Sequence, residues 1–111
     1  MNTSCFANYG NSKNGVSIAY SHPLWWSGRV YPALAPPHYL LSKYKASKIS
    51  KEEYTKQYRE KVLSKLNPKE VYEELGENAV LLCWEPPSAF CHRHLVADWL
   101  EKELNIEIKE I

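Results

Sequence analysis

The alternation of apolar and polar residues predicts short strands and helices in sequence along the chain. Residues 79–84 form a short, continuous apolar run, which is typical of a buried strand. Residues 3–9 and 16–20 predict two earlier strands, and the alternating Ile and charged residues at 106–111 predict a terminal one. The turn-rich residues 10–15 separate the first two strands.

Helical signals fill the middle of the chain. Residues 38–45 predict a short helix, and Ser50 with Glu53 matches a capping box that opens a longer one. The apolar residues of that longer helix recur at helical spacing: Tyr54, Tyr58, Val62 and Leu66. A third helix is predicted to begin at Pro68 and to stop at Gly76.

Counting the two clearer helices of the middle segment, which open at Ser50 and at Pro68, the order of elements is β-β-α-α-β-α-β and predicts one domain over residues 1–111. The fold class expected is a small three-layer Rossmann-like α/β domain with a short, mostly parallel sheet. Residues 24–37 contain three prolines and one glycine without a clean period, so we expect an ordered loop with one helical turn.

The break after the central strand is the first place to look for function. The strand ends in Glu85, two prolines follow, and Ser88 is a good N-cap residue for a new helix. Cys91, His92 and Arg93 are then predicted to lie in its first turn. A strand, a tight loop and a helix N-terminus form a common anion site in α/β proteins.

Composition narrows the classes of protein. A net charge of +1 argues against a strongly basic nucleic-acid surface, and eight Tyr and four Trp against two Phe suit a ligand-lining surface as well as a core. The three cysteines are typical of a reducing compartment rather than of a disulfide scaffold. With no signal peptide and no membrane-spanning run in the sequence, we expect a cytoplasmic protein.

Arg93 is the best candidate for holding an anion, because its guanidinium matches phosphate and carboxylate geometry. The alternative is an ordinary ion pair with Glu85 or Asp98. Glu85, at the end of the central strand, is a candidate for accepting hydrogen bonds from ribose hydroxyls, or else for a salt bridge to Arg93. The catalytic residues stay open, with Cys91, His92 and Glu85 as candidates.

Cys91 and His92 allow two interpretations each. Cys91 is a candidate nucleophile at a helix start or an inert packed thiol, and His92 is a catalyst or a hydrogen-bonded core residue. Adjacent helical residues diverge by about 100°, which does not favour a direct bond between the two. Cys83 joins them in a conceivable metal site, but the spacing lacks the short Cys pairs of structural zinc sites. We therefore predict no metal and no cofactor.

Two adjacent tryptophans, Trp25 and Trp26, cannot both face inward in an extended segment. One of them is predicted to stack on a planar base. Ser21, Tyr9, Ser88 and His92 complete the predicted ligand-binding set.

The sequence LLCWEPPSAFCHRHLVADWL resembles the signature of the domain-of-unknown-function family 488. The segments TSCFANY, VSIAYS and EEYTKQYREKVLSKLNP are also similar to family segments, so the resemblance spans nearly the whole chain. It implies a small Rossmann-like domain with a Cys-His-Arg motif at residues 91–93. Members occur in bacteria and their phages, which by association implies nucleotide metabolism or phage–host conflict.

We therefore expect a protein that binds a small nucleotide-type ligand, similar to ADP-ribose or a cyclic nucleotide, and that sequesters a host signalling nucleotide. One alternative is an enzyme acting on a nucleotide or an N-glycosidic bond through Cys91, His92 or Glu85. Another is a protein-interaction module whose aromatic loop binds a partner. Neither a membrane nor nucleic acid is expected as a partner, and homo-oligomer formation stays open.

Overall fold

A five-stranded parallel sheet forms the centre of the protein, which a computed structural model describes over all 111 residues, Met1–Ile111. The strands are β1 (Asn2–Cys5), β2 (Gly15–Ser17), β3 (Arg29–Val30), β4 (Val80–Cys83) and β5 (Lys109–Glu110). Their order across the sheet is β3-β2-β4-β1-β5, and every neighbouring pair is parallel. The predicted Rossmann-like α/β class is confirmed.

Five helices connect these strands. They are the single turn α1 (Phe6–Tyr9), α2 (His38–Lys45), α3 (Lys51–Lys61), α4 (Pro68–Leu75) and α5 (His92–Leu104). Two 3₁₀ turns, Pro32–Leu34 and Leu63–Lys65, lie between them. No helix combines the length and the apolar character needed to cross a membrane.

β4 is the central strand, and all four of its residues are buried. On one face of the sheet, Leu81 packs with Val16 and Ile18 into a large core that the longer helices complete. On the other face, Leu82 packs in a smaller cluster with Phe6 of α1 and the partly buried Trp26. Burial on both faces explains why the sequence of this strand is an unbroken apolar run.

In the middle of the chain, the predicted helix at 38–45, the helix start after Ser50 and the helix from Pro68 to the stop at Gly76 are confirmed. The helix that Ser50 opens ends at Lys61, however, so Val62 and Leu66 lie beyond it. Residues 38–45 are helical, and the Ser50 side chain accepts a hydrogen bond from the Glu53 N–H at 3.0 Å. The Asn67 side chain accepts bonds from two backbone N–H groups at the start of α4. Gly76 ends that helix with φ of +92°, a conformation that glycine adopts without a steric penalty.

Other predicted elements differ in the structure. The strand predicted over 16–20 ends at Ser17, and the terminal strand predicted over 106–111 is limited to Lys109–Glu110. The first strand ends at Cys5, because the chain turns there into α1 and folds Phe6 beneath the sheet. The loop at 24–37 contains a strand, β3, whose two residues are exposed and so carry no burial pattern. The helix predicted to open at Ser88 begins at His92 instead, with Cys91 as its N-cap.

Candidate functional site

A cavity of about 500 Å³ lies at the carboxyl ends of β2 and β4. Residues 19–21 follow β2 and residues 83–85 end β4, and both segments line it. The chain leaves β2 towards β3 and leaves β4 towards β5, so the two connections part in opposite directions across the sheet. Such a divergence opens a crevice, and ligands of open α/β sheets bind in it.

Two thiols and one imidazole meet at the inner end of this cavity. The Sγ atoms of Cys83 and Cys91 each lie 3.7 Å from Nδ1 of His92. All three side chains line the cavity although each residue is no more than 4 % exposed. The sequence-based candidates Cys91, His92 and Glu85 are therefore brought together, and Cys83 joins them.

The imidazole of His92 has a defined tautomer. Its Nε2 lies 2.7 Å from the backbone carbonyl oxygen of Ile18, which can only accept a hydrogen bond. Nε2 must therefore carry the proton and donate it to that oxygen. In the neutral ring Nδ1 then has a free lone pair, and this lone pair faces both thiols.

The expectation that Cys91 and His92 diverge was wrong in its premise. That argument placed both residues inside a helix, but Cys91 is the N-cap of α5 with φ of −153° and ψ of 148°. In this extended conformation its side chain turns back beside the first helical residue. The two side chains therefore converge because the helix begins one residue later than Cys91.

The environment of Cys91 stabilises its thiolate. A hydrogen bond from the Cys83 thiol, attraction to the His92 ring in its protonated form and the backbone N–H of Arg93 outweigh burial and lower the pKa of Cys91 well below its ordinary value. The hydrogen bond to Cys91, together with burial, raises the pKa of Cys83. Cys83 also lies 3.4 Å from the Glu85 Oε2 atom, to which its thiol can donate instead.

Arg93 lies outside the cavity, which corrects its assignment as the anion-binding residue. Its side chain is completely buried, and its Nε and Nη2 donate to the two carboxylate oxygens of Glu110 at 3.1 and 2.8 Å. The ion-pair partner is thus Glu110 of β5, and neither Glu85 nor Asp98. The Nη1 atom of Arg93 has no hydrogen-bond partner, and nothing in the structure explains it.

Ser88 is exposed in the turn before α5 and does not line the cavity. Its predicted role as the N-cap was wrong: Ser88 lies in a turn closed by the Ala89 N–H, which donates to the Pro86 carbonyl, and the helix begins only after Cys91. The backbone N–H of Arg93, at the observed start of the helix, contacts the Cys91 sulfur. Of the predicted ligand-binding residues, Glu85, His92 and Ser21 do line the cavity.

The adjacent tryptophans and Tyr9 lie away from the cavity lining. Trp26 is packed against two glycines: a Cβ atom at Gly15 or Gly28 would lie 2.9 or 2.5 Å from its ring. Trp25 is half-exposed and meets the edge of Phe6. The hydroxyl of Tyr9 donates to the carbonyl of Lys13. The predicted difference in exposure between the two indoles is confirmed. Neither indole lines the cavity, where one of them was predicted to stack on a base.

Sequence reasoning missed the aromatic walls of the cavity. They are Tyr20, Tyr44, Trp84 and Phe90, with Tyr54 buried behind them. Trp84 had a usable signal, because it directly precedes Glu85 at the end of the central strand. Tyr44 had none, since only the tertiary packing of α2 brings it to the carboxyl edge of β4.

One comparison with known proteins gives a match. The family model DUF488-N3a, described as the active DUF488-N3 subclade, matches residues 12–104. No curated protein and no solved structure matches the chain. The matched range contains the cavity and the Cys83, Cys91 and His92 cluster.

Proposed function

The chain belongs to the DUF488 family, in its active N3 subclade, and we propose that its cavity binds a small nucleotide-type ligand. The observation that carries this proposal is an apolar cavity of about 500 Å³, walled by aromatic rings at the divergence of β2 and β4. Small-molecule sites enclose roughly 300–1,000 Å³ and are mostly apolar with a few polar groups. The cavity meets both conditions.

The aromatic walls suit a planar base. Trp84 is 47 % exposed, yet its Nε1 donates to the carbonyl of Ser21 at 2.8 Å, so the indole is held between the segments that follow β4 and β2. Tyr44 and Phe90 also line the cavity, with their ring centroids 5.4 Å apart. A base stacked on such a ring gains roughly 1–3 kcal/mol.

Two charged groups give the cavity its polarity. Glu85 stands next to the thiol cluster, where its carboxylate can accept hydrogen bonds from sugar hydroxyls or an exocyclic amine. Lys45, at the end of α2, lies at the exposed rim and supplies a cation for phosphate. This arrangement replaces the Arg93 site that the sequence predicted.

The proposal includes the biological setting of the sequence-based hypothesis. A binder of this kind would hold a signalling nucleotide without consuming it, as a sequestering protein in phage–host conflict does. The three cysteines form no disulfide, and this supports a reducing compartment such as the cytoplasm.

Isothermal titration of the purified chain with AMP, a cyclic nucleotide and ADP-ribose tests the proposal. We expect saturable binding of at least one probe, and recovery of that probe intact after the protein is denatured. Glu85→Gln should weaken binding, whereas Glu107→Gln, an exposed change outside the cavity, should not. If none of the probes binds, the proposal is wrong.

A second candidate function is enzymatic, and one contact favours it. The Cys91 Sγ atom lies 3.7 Å from Nδ1 of His92, whose free lone pair can accept the thiol proton. This is the arrangement of a thiol nucleophile activated by a neighbouring base. This candidate predicts that the bound probe is recovered altered, and that Cys91→Ser abolishes the alteration while leaving binding in place. Recovery of the intact probe rejects this candidate and leaves the binding proposal standing.

A further inference from the structure

We propose that Cys83, Cys91 and His92 form a zinc-binding site at the inner end of the cavity. Their ligand atoms, two sulfurs and one imidazole nitrogen, all lie within 4.8 Å of one another. This inference does not depend on the identity of the cavity's ligand, because it rests on the geometry of the three side chains alone.

The sulfur-to-nitrogen separations match tetrahedral zinc. With Zn–S of about 2.3 Å and Zn–N of about 2.0–2.1 Å, a tetrahedral angle places sulfur and nitrogen about 3.6 Å apart and two sulfurs about 3.8 Å apart. Both sulfur-to-nitrogen distances are 3.7 Å. The two sulfurs lie within 4.8 Å of each other, so a zinc ion can enter between the three atoms once the sulfurs approach each other by at most about 1 Å.

The imidazole is already arranged as a metal ligand. Histidines that bind metals almost always donate their other ring N–H to a carbonyl or carboxylate, which fixes the ring and its tautomer. His92 does this through Nε2 and the Ile18 carbonyl, at 2.7 Å. Its Nδ1 lone pair is left facing the two sulfurs.

The spacing of Cys83 and Cys91 along the chain argued against a structural zinc site, but the fold brings the two residues together. Cys83 ends β4 and Cys91 caps α5, so an eight-residue step in sequence closes on itself through the intervening loop. Structural zinc fingers need short Cys pairs because they have little other structure. Here the sheet and the helix position the ligands.

Three protein ligands leave one zinc position for another group. The three residues all line the cavity, so that position faces the space that we assign to the ligand. Catalytic zinc sites keep such an open position, as the Cys₂His sites do, whereas structural sites close it with a fourth protein ligand. Two thiolates and an imidazole favour zinc over the hard cations magnesium and calcium.

Metal analysis of the purified chain tests the site. We expect one zinc per chain, and Co²⁺ loaded in its place should give the sulfur-to-cobalt charge-transfer bands of thiolate ligation. Losing a hydrogen-bond partner of a metal ligand costs roughly 10–100-fold in affinity. Cys83→Ser, Cys91→Ser and His92→Ala, which remove a ligand itself, should each cost more.

Cys5→Ser is the matched control. Cys5 is also a buried cysteine and stands beside Cys83 on the neighbouring strand, but it is not part of the cluster. It should keep zinc and the cobalt spectrum. If a ligand variant fails to fold, Co²⁺ titration of metal-free wild-type protein decides: thiolate bands support the site, and their absence overturns it. Nucleotide titration of the same metal-free protein tests the binding proposal separately.

Discussion

Glu110→Gln removes the carboxylate that neutralises Arg93, and it is the sharpest test of the structural role we assign to that arginine. The glutamine keeps the shape of the side chain but leaves a guanidinium that is 0 % exposed without its counter-ion. Breaking a buried ion pair by removing one partner costs roughly 3–5 kcal/mol. Since the Glu110 side chain is 22 % exposed, we expect the lower end, about 3 kcal/mol.

The consequence for the fold follows from where the pair lies. Only two residues of β5 pair with another strand, and both pair with β1. The Arg93–Glu110 contact also joins this edge strand to the start of α5. Thr3 Oγ1 donates to the same carboxylate at 2.5 Å. At about 4 °C per kcal/mol for a domain of this size, the melting temperature should fall by about 12 °C.

The assay is urea unfolding with thermal melts, and Glu107→Gln is the matched control. Glu107 lies in the same C-terminal segment, and its pair with Lys109 is fully at the surface, with both side chains more than 70 % exposed. Such pairs contribute about 0–1 kcal/mol, so this control should be nearly silent. Equal stability of the two variants would refute the structural role of the Arg93 pair.

The pH dependence gives an independent check on the same pair. Burial opposes ionisation of Glu110, but the hydrogen bonds from Arg93 and Thr3 outweigh it and lower the pKa below the usual 4.5. A carboxyl group with a lowered folded-state pKa contributes stability that is complete above pH 4.5 and is lost as the pH falls through the folded-state value. Wild type should therefore lose stability below pH 4.5 more steeply than Glu110→Gln does.

Three further predictions concern the cavity and the opposite face of the sheet. In titration calorimetry, Trp84→Ala should weaken binding of the nucleotide probe that binds the wild type by about ten- to a hundredfold. Trp25→Ala removes a similarly exposed indole outside the cavity and should leave the affinity unchanged. Equal losses of affinity in the two variants would contradict stacking on Trp84. In metal-free protein, the lowered pKa of Cys91 should keep its alkylation by iodoacetamide fast at pH 6, where an ordinary thiol is roughly 1 % ionised or less. Mass spectrometry identifies the modified cysteine. If Cys5 or Cys83 is modified before Cys91, the thiolate form of Cys91 is not favoured as we describe. Gly15→Ala places a Cβ atom 2.9 Å from the Trp26 ring and should lower the free energy of unfolding in urea by about 1–3 kcal/mol. An unchanged unfolding midpoint would show that the Trp26 ring moves aside without loss of stability.

Local chemistry was sufficient to predict the helices of the middle segment. Three local signals mark the ends of these helices: the Ser50 cap, the Asn67 cap with its following proline, and the stop at Gly76. Each forms its hydrogen bonds with backbone groups only a few residues away, so its effect does not depend on the rest of the fold. The central strand was readable for a related reason: burial on both faces leaves an unbroken apolar run.

Tertiary structure decided the site. The sequence predicted a cluster around Cys91, His92 and Glu85, but which groups face the cavity depended on the start of α5. That start is set by packing and by the loop rather than by a capping side chain, since Cys91 makes no side-chain cap bond. Starting the helix at Ser88 sends Cys91 and His92 apart, whereas starting it at His92 brings them together.

The sequence by itself therefore determined the parallel α/β class, most of the helix boundaries and the motif in which the chemistry lies, because these depend on periodicity and on short-range hydrogen bonds. Only the tertiary structure decided the partner of Arg93, the tautomer of His92 and the tryptophan that lines the cavity. Each of these is a long-range pairing: Arg93 meets Glu110, His92 meets Ile18, and Trp84 meets Ser21 between the segments that follow β4 and β2. Residues so far apart in sequence share no local pattern, and only the order of the strands brings them within hydrogen-bond distance.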